Sequence, residues 1–210
     1  MFRDVPEVLP FSAACERNKG PILEHLRRHF ASAIDVLEIG SGTGQHATYF
    51  AAHLPHLRWQ ASERAEHLSA LAARLAAEPA PNLADPIALD VTVGPWPAMR
   101  FSAVFSANTL HIMDWHAVEQ CVAGIGKVLA PGGLLAVYGP FRYGGRYTSA
   151  SNRAFDQDLK HRDPASGIRD FEAVDSLARQ HRLALVADHA MPANNQLLVW
   201  RRAIDPGSSS

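Results

Sequence analysis

The chain is poor in cysteine: two in 210 residues, Cys15 and Cys121. That excludes a disulfide framework and sets the expectation of a reducing, cytoplasmic setting. No run approaches the ~20 apolar residues of a helical membrane span. Excess charge of one sign is missing as well. Lys and Arg number 20 against 21 Asp and Glu, a net charge of −1. No basic tract stands ready to neutralise phosphates, so nucleic acid is not an expected partner. Met1 to Pro10 lacks the apolar core of a signal peptide. There are no internal repeats, linkers or low-complexity blocks. Histidine is plentiful, at 11 residues. However, His53 with His56, or His111 with His116, lacks cysteine or carboxylate partners at ligand spacing, and no metal is expected.

What is present suits one globular domain over residues 1–204, with 47% hydrophobic residues and a tail at 205–210 that is expected to fray. Its organising stretch is Val36-Leu37-Glu38-Ile39-Gly40-Ser41-Gly42-Thr43-Gly44-Gln45-His46. An apolar run, Ile34 to Ile39, reads as a buried parallel strand. Glycines at alternate positions follow, then a helical pattern from Gln45 to His53. Such a turn lets backbone approach a nucleotide-like ligand. A dinucleotide fingerprint needs a third glycine where Gln45 stands, which speaks against a nicotinamide-dependent oxidoreductase.

The rest of the chain alternates strand and helix signals. Pro21 to Phe30 reads as a helix beginning at a proline. The polar stretch Phe11 to Gly20 before it reads as a loop, and pattern alone favours a solvated arm over one lying on a cleft. Leu57 to Glu63 is a second strand, and Glu63 lies 23 residues past Gly40, where an α/β nucleotide site holds ribose hydroxyls. Arg64 to Ala77 is helical, and Ile87 to Val91 is a short strand carrying Asp90. Phe101 to Asn108 is a fourth strand, a helix spans Val118 to Leu129, and Leu134 to Tyr138 is a fifth strand. Gly139 to Ser149 is an aromatic, polar stretch at a strand's carboxyl end. Two more helices are expected, the second N-capped by Asp170. Leu183 to Ala187 and Leu197 to Trp200 read as an antiparallel pair joined at Pro192 to Asn195.

Several motifs together resemble the methyltransferase-like protein 26 family. They are Phe11-Ser12 with Ala14-Cys15-Glu16-Arg17-Asn18-Lys19-Gly20-Pro21, Phe105-Ser106-Ala107-Asn108, Leu110-His111-Ile112, Tyr138-Gly139-Pro140-Phe141, Gly167-Ile168-Arg169-Asp170 and Met191-Pro192-Ala193-Asn194-Asn195. The E-x-G-x-G-x-G pattern from Glu38 to Gly44 resembles the first motif of class I S-adenosylmethionine-dependent methyltransferases. The resemblance implies a Rossmann-like class I methyltransferase fold: a seven-stranded, mostly parallel sheet with an antiparallel C-terminal hairpin and helices on both faces. It implies S-adenosylmethionine as cofactor, with S-adenosylhomocysteine as product. Gly40, Ser41, Gly42 and Gly44 would pass under the methionine moiety. Glu38 would act near its ammonium, directly or through the loop. Glu63 would hold the ribose, in a position where this family's shorter Asp is expected. Asp90 and the Val91 amide would meet adenine, and Asn108 would meet cofactor or acceptor.

Side-chain chemistry nominates the acceptor side. His111 is the candidate general base or positioning group. Arg17, Asn18, Tyr138, Tyr143, Tyr147, Arg169 and Asn194 are candidate substrate contacts, and the two arginines would suit an anionic small molecule. The competing reading is a non-catalytic cofactor-binding or protein-interaction module on the same fold.

Overall fold

The computed structural model describes residues 9–204. The expectation of a fraying 205–210 tail and most of the N-terminal stretch read for a signal peptide lie outside them. In chain order the helices are α1 (Ala13–His29), α2 (Gln45–His53), α3 (Leu68–Ala77), α4 (Trp115–Val128), α5 (Ala150–Arg162) and α6 (Phe171–Gln180). The strands are β1 (Asp35–Ile39), β2 (Arg58–Glu63), β3 (Ile87–Ala88), β4 (Phe101–Ala107), β5 (Leu129–Gly139), β6 (Phe141–Tyr143), β7 (Arg146–Tyr147), β8 (Arg169–Asp170), β9 (Leu183–Met191) and β10 (Asn195–Arg202). Seven of them form one sheet in the order β3-β2-β1-β4-β5-β10-β9. β1 to β5 run parallel, and β10 lies antiparallel to both β5 and β9. This is the expected sheet with its C-terminal hairpin.

Strand period two divides the core into two layers. Val36, Ala103, Phe105, Leu197 and Val199 meet α1, α2 and α3 on one face. Leu37, Ile39, Val104, Leu198 and Trp200 meet α4 and α6 on the other. Each layer encloses an indole that donates to a carboxylate: Trp59 to Glu38 at 2.8 Å and Trp200 to Asp175 at 2.9 Å.

Three readings need correction. The polar stretch before Pro21 is not a loop. α1 starts at Ala13, N-capped by Ser12, and Pro21 lies inside it. That proline removes one intrahelical donor, to the carbonyl of Arg17. Arg17 is exposed, so water can replace the bond. The aromatic stretch after β5, expected to be a loop, is partly strand. β6, β7 and β8 make a small second sheet. Asp170 occupies the N-cap position of α6 but makes no capping bond; its Oδ2 accepts Arg142 at 2.7 Å.

Candidate functional site

A cleft of about 920 Å³ opens where the carboxyl ends of β1, β2 and β4 converge, the place open parallel sheets hold ligands. The glycine turn lines it. Gly40 and Gly42 have φ of 68° and 55°, a region where side chains are strained. A Cβ on Gly40 would meet Thr109 Cγ2 at 2.5 Å, and one on Gly42 would meet nothing within 4 Å. The protein's own packing therefore requires the first glycine. The second leaves space beside its backbone.

Two carboxylates stand around this turn. Glu63 Oε2 accepts the Gly42 amide at 2.8 Å and Oε1 accepts the Arg64 amide at 2.9 Å. Each oxygen retains a second lone pair, enough to accept a vicinal diol. Asp90 Oδ1 accepts the Thr92 hydroxyl at 2.6 Å and the Thr92 amide at 2.8 Å. These bonds, with the Arg64 charge nearby, hold its carboxyl below the usual range, so it is an acceptor at neutral pH. Ser41, Val91 and Asn108 also line the cleft. Glu38 and Gly44 do not. Glu38 is buried behind the turn, where loss of water pushes its carboxyl up to about 7 despite the bonds from Trp59 and Ser41. Any influence it has on a ligand passes through the loop. Gly44 starts α2 and backs onto Leu71 and Arg74 of α3.

The start of α1 is fastened to the same turn. Ser12 N–H donates to Gln45 Oε1 at 2.5 Å. Arg74 donates to the Pro10 carbonyl at 2.7 Å and to the Thr43 carbonyl at 3.3 Å. Deeper in, His46 Nε2 meets Asn18 Oδ1 at 2.6 Å. Gln45 thus does more than break the dinucleotide fingerprint. It holds a helix end over the turn, and Ser12, Ala14 and Cys15 line the cleft from that side. A freely solvated arm is excluded.

On the opposite side, His111 lines the cleft and is 6% exposed. Burial, with the Arg169 and Arg162 charges, pushes its imidazole down to about 4. The ring is neutral at pH 7, not poised near it as a general base was expected to be. Phe155 meets it edge-on, with ring centres 5.3 Å apart.

Most of the nominated acceptor contacts are turned away. Arg17 is exposed and lies outside the cleft lining. Arg169 spends its guanidinium on backbone carbonyls, those of Leu110 and Ala165 at 3.0 Å each and that of Met113. The two cations that suggested an anionic acceptor therefore give that idea no basis. Tyr143 donates to Asp188 at 2.8 Å and stacks on Phe171. Tyr147 donates to Asp156 at 2.6 Å. Tyr138 is buried and bonds Asn18 and Asn195, so Asn18 buttresses α1 and does not face a ligand. Asn194 contacts Ser151 at 3.3 Å, while its neighbours Ala193 and Asn195 line the cleft. Sequence reasoning missed Ser12, Cys15, His46, Thr109, Asn152 and Asn195. Ser12, Cys15 and Asn195 lay within motifs already singled out. Asn152 had no signal beyond a helical pattern.

Sheet order, glycine turn and cleft define a Rossmann-like class I methyltransferase fold, and solved structures agree. An O-methyltransferase family protein from Burkholderia thailandensis matches 91% of this chain and 58% of its own, with TM-score 0.79 at 16% identity. Human N-acetylserotonin methyltransferase, solved in complex with SAM, matches 90% and 53%, with TM-score 0.76 at 15% identity. An O-methyltransferase family 2 protein from Planctomyces limnophilus, solved with apigenin, matches 80% and 51%, with TM-score 0.71 at 18% identity. The chain thus spans little more than half the length of these proteins. A family model described as "Protein of unknown function (DUF938)" matches residues 9–202, and the chain belongs to that family. Among the described residues no helix is long and apolar enough to cross a membrane.

Proposed function

We propose that the protein is an S-adenosylmethionine-dependent methyltransferase acting on a small-molecule acceptor, within the methyltransferase-like protein 26 group that its terminal motifs resemble. One observation carries this reading: Glu63 and the ionised Asp90 share a cleft with an open glycine turn. Adenosine needs acceptors for a ribose diol and an amino group beside backbone that permits close approach, and this donor and acceptor set fits it. SAM in the human structure is consistent with such a site, and apigenin in the Planctomyces limnophilus structure with a small-molecule acceptor.

In this reading Gly40, Ser41 and Gly42 cradle the methionine end, with Glu38 and Gly44 shaping the turn from behind. Glu63 takes the ribose, and Asp90 with the Val91 amide takes adenine. Asn108 and His111 face the acceptor. The start of α1 covers the cleft within one expected domain over 1–204; residues 1–8 of the expected 1–33 arm and helix lie outside the described residues. Two free thiols, Cys15 and Cys121, fit a cytoplasmic setting.

S-adenosylmethionine supplies a methyl already activated by positive sulfur, and transfer leaves the C–S electron pair on that sulfur. The chain's task is to hold the acceptor in line and exclude water. Neutral His111 is suited to hydrogen-bonding an acceptor hydroxyl. It takes the proton as the new O–C bond forms, because an oxygen gaining an alkyl group becomes far more acidic than imidazolium. A histidine near 4 serves that late transfer and is unsuited to deprotonating a hydroxyl beforehand. The same observation is compatible with the second reading, a binding module without turnover.

Calorimetric titration with S-adenosylmethionine and S-adenosylhomocysteine tests the cofactor. We expect micromolar binding, weakened roughly 10- to 100-fold by Glu63→Ala and by Asp90→Ala, as for loss of hydrogen bonds to a charged group. Absence of binding to the wild-type chain would remove the cofactor reading. Binding without turnover across an acceptor screen, together with a stable protein partner, would select the module.

A further inference from the structure

Three histidines converge where the second half of α1 crosses the sheet edge. His25 and His29 lie four residues apart and so project from one helix face. His189 reaches them from β9, the terminal strand of the sheet. His29 Nε2 lies 2.8 Å from His189 Nε2, and the His25 and His189 ring centres are 4.2 Å apart. One ligand nitrogen from each of the three falls within 4.8 Å of the others, the only such group of potential ligands among the described residues. All three are half-buried, which leaves the cluster a solvent approach.

We infer that His25, His29 and His189 form a binding site for a borderline divalent cation, with zinc the best match. Three neutral imidazoles with an open fourth position are a recognised zinc ligand set. Tetrahedral zinc with Zn–N of about 2.0–2.1 Å places ligand nitrogens about 3.3 Å apart. The observed separations, 2.8 Å for His29 and His189 and all within 4.8 Å, bracket that value. Packing alone leaves the cluster incomplete. His29 and His189 can share one proton between them, but His25 Nδ1 is buried with no hydrogen-bond partner. Three rings brought together in one place serve a metal better than they serve each other. Arg28 and Arg201 add positive charge nearby and Glu24 offsets part of it, so micromolar affinity is expected, not nanomolar. No local spacing announces this set, because His189 is remote along the chain from the other two.

The site is distinct from the cleft. His29 lies about 20 Å along α1 from Cys15, at 1.5 Å per residue. A bound ion would pin the far end of the helix whose near end lines the cleft. The inference does not depend on the proposed cofactor.

The test is titration of the full, tag-free chain with zinc by calorimetry, and with cobalt(II) by visible absorption, in a non-coordinating buffer without cofactor. We expect one ion per chain and tetrahedral cobalt bands. Zinc at a hundredfold excess over Kd should raise Tm by roughly 5–10 °C. His189→Ala and His29→Asn should each weaken binding at least 100-fold, with circular dichroism unchanged. His116→Ala, on an exposed helix face, should bind as the wild type does. Absence of saturable 1:1 binding would overturn the inference, as would undiminished binding in both variants. If His189→Ala fails to fold, His29→Asn decides.

Discussion

The two sides of the cleft are built differently. The glycine-turn side meets a ligand with backbone and with two carboxylates at strand ends, Glu63 and Asp90. The opposite side is assembled from the segment after β4, α5 and the β9–β10 turn, and the start of α1 closes over the glycine turn. There, long charged and aromatic side chains fasten those segments to one another, and small polar groups such as Asn108, Asn152 and Asn195 face the cavity. Positions on one strand end can be read along the chain. Side chains from three separate segments have directions that only packing fixes. Arg169 shows the consequence: its charge looked like an acceptor anchor, yet it is held by three carbonyls.

Acid should test both sides at once, because each contains a buried neutral histidine. His46 and His111 are both pushed down to about 4. Between pH 6.5 and 4 the unfolded chain binds more protons than the native one, so stability falls as pH is lowered. The loss is about 3 kcal/mol per histidine at pH 4. Glu38, raised to about 7, acts in reverse. Its native carboxyl holds a proton that the unfolded one releases, so its penalty of about 3 kcal/mol at pH 7 fades on acidification. The histidines win, and the net loss from pH 7 to pH 4 is about 3 kcal/mol. Glu38→Gln should steepen the loss toward ~6 kcal/mol. Denaturant melts across pH measure this, and a flat profile would contradict both burial assignments.

Arg169→Ala should sharpen the contrast further. Three carbonyls lose a charged donor, at a cost of about 3 kcal/mol, or a Tm lower by roughly 6–12 °C. An unchanged Tm with weakened acceptor binding would restore Arg169 as a substrate contact.

The glycine turn offers a matched pair. Gly40→Ala combines left-handed strain with the clash on Thr109, for about 2–4 kcal/mol. Gly42→Ala carries the strain alone, about 1–2 kcal/mol. Thermal melts of the two variants separate packing from conformation, and equal losses would mean that Thr109 moves aside. The smallest effect belongs to Arg17→Ala, on the exposed face of α1: a change within about 0.5 kcal/mol, with ligand affinity unaltered. A large loss of affinity would bring Arg17 into the site.

Local pattern was enough for most strands, the hairpin and α2, while the seven-stranded layout came with the family resemblance. Strand alternation, helical period and glycine spacing are properties of contiguous residues, and burial in β1, β4 and β10 follows that alternation. The start of α1 was not legible, because Pro21 obeys the local rule for a helix beginning. The bonds that extend the helix to Ala13, Ser12 to Gln45 and Asn18 to His46, come from residues about 30 positions away. The neutral state of His111, the duty of Arg169 and the meeting of His189 with His25 and His29 were likewise decided in three dimensions. Each depends on how much water is excluded and on which partner arrives from elsewhere in the chain, and neither quantity is encoded in neighbouring residues.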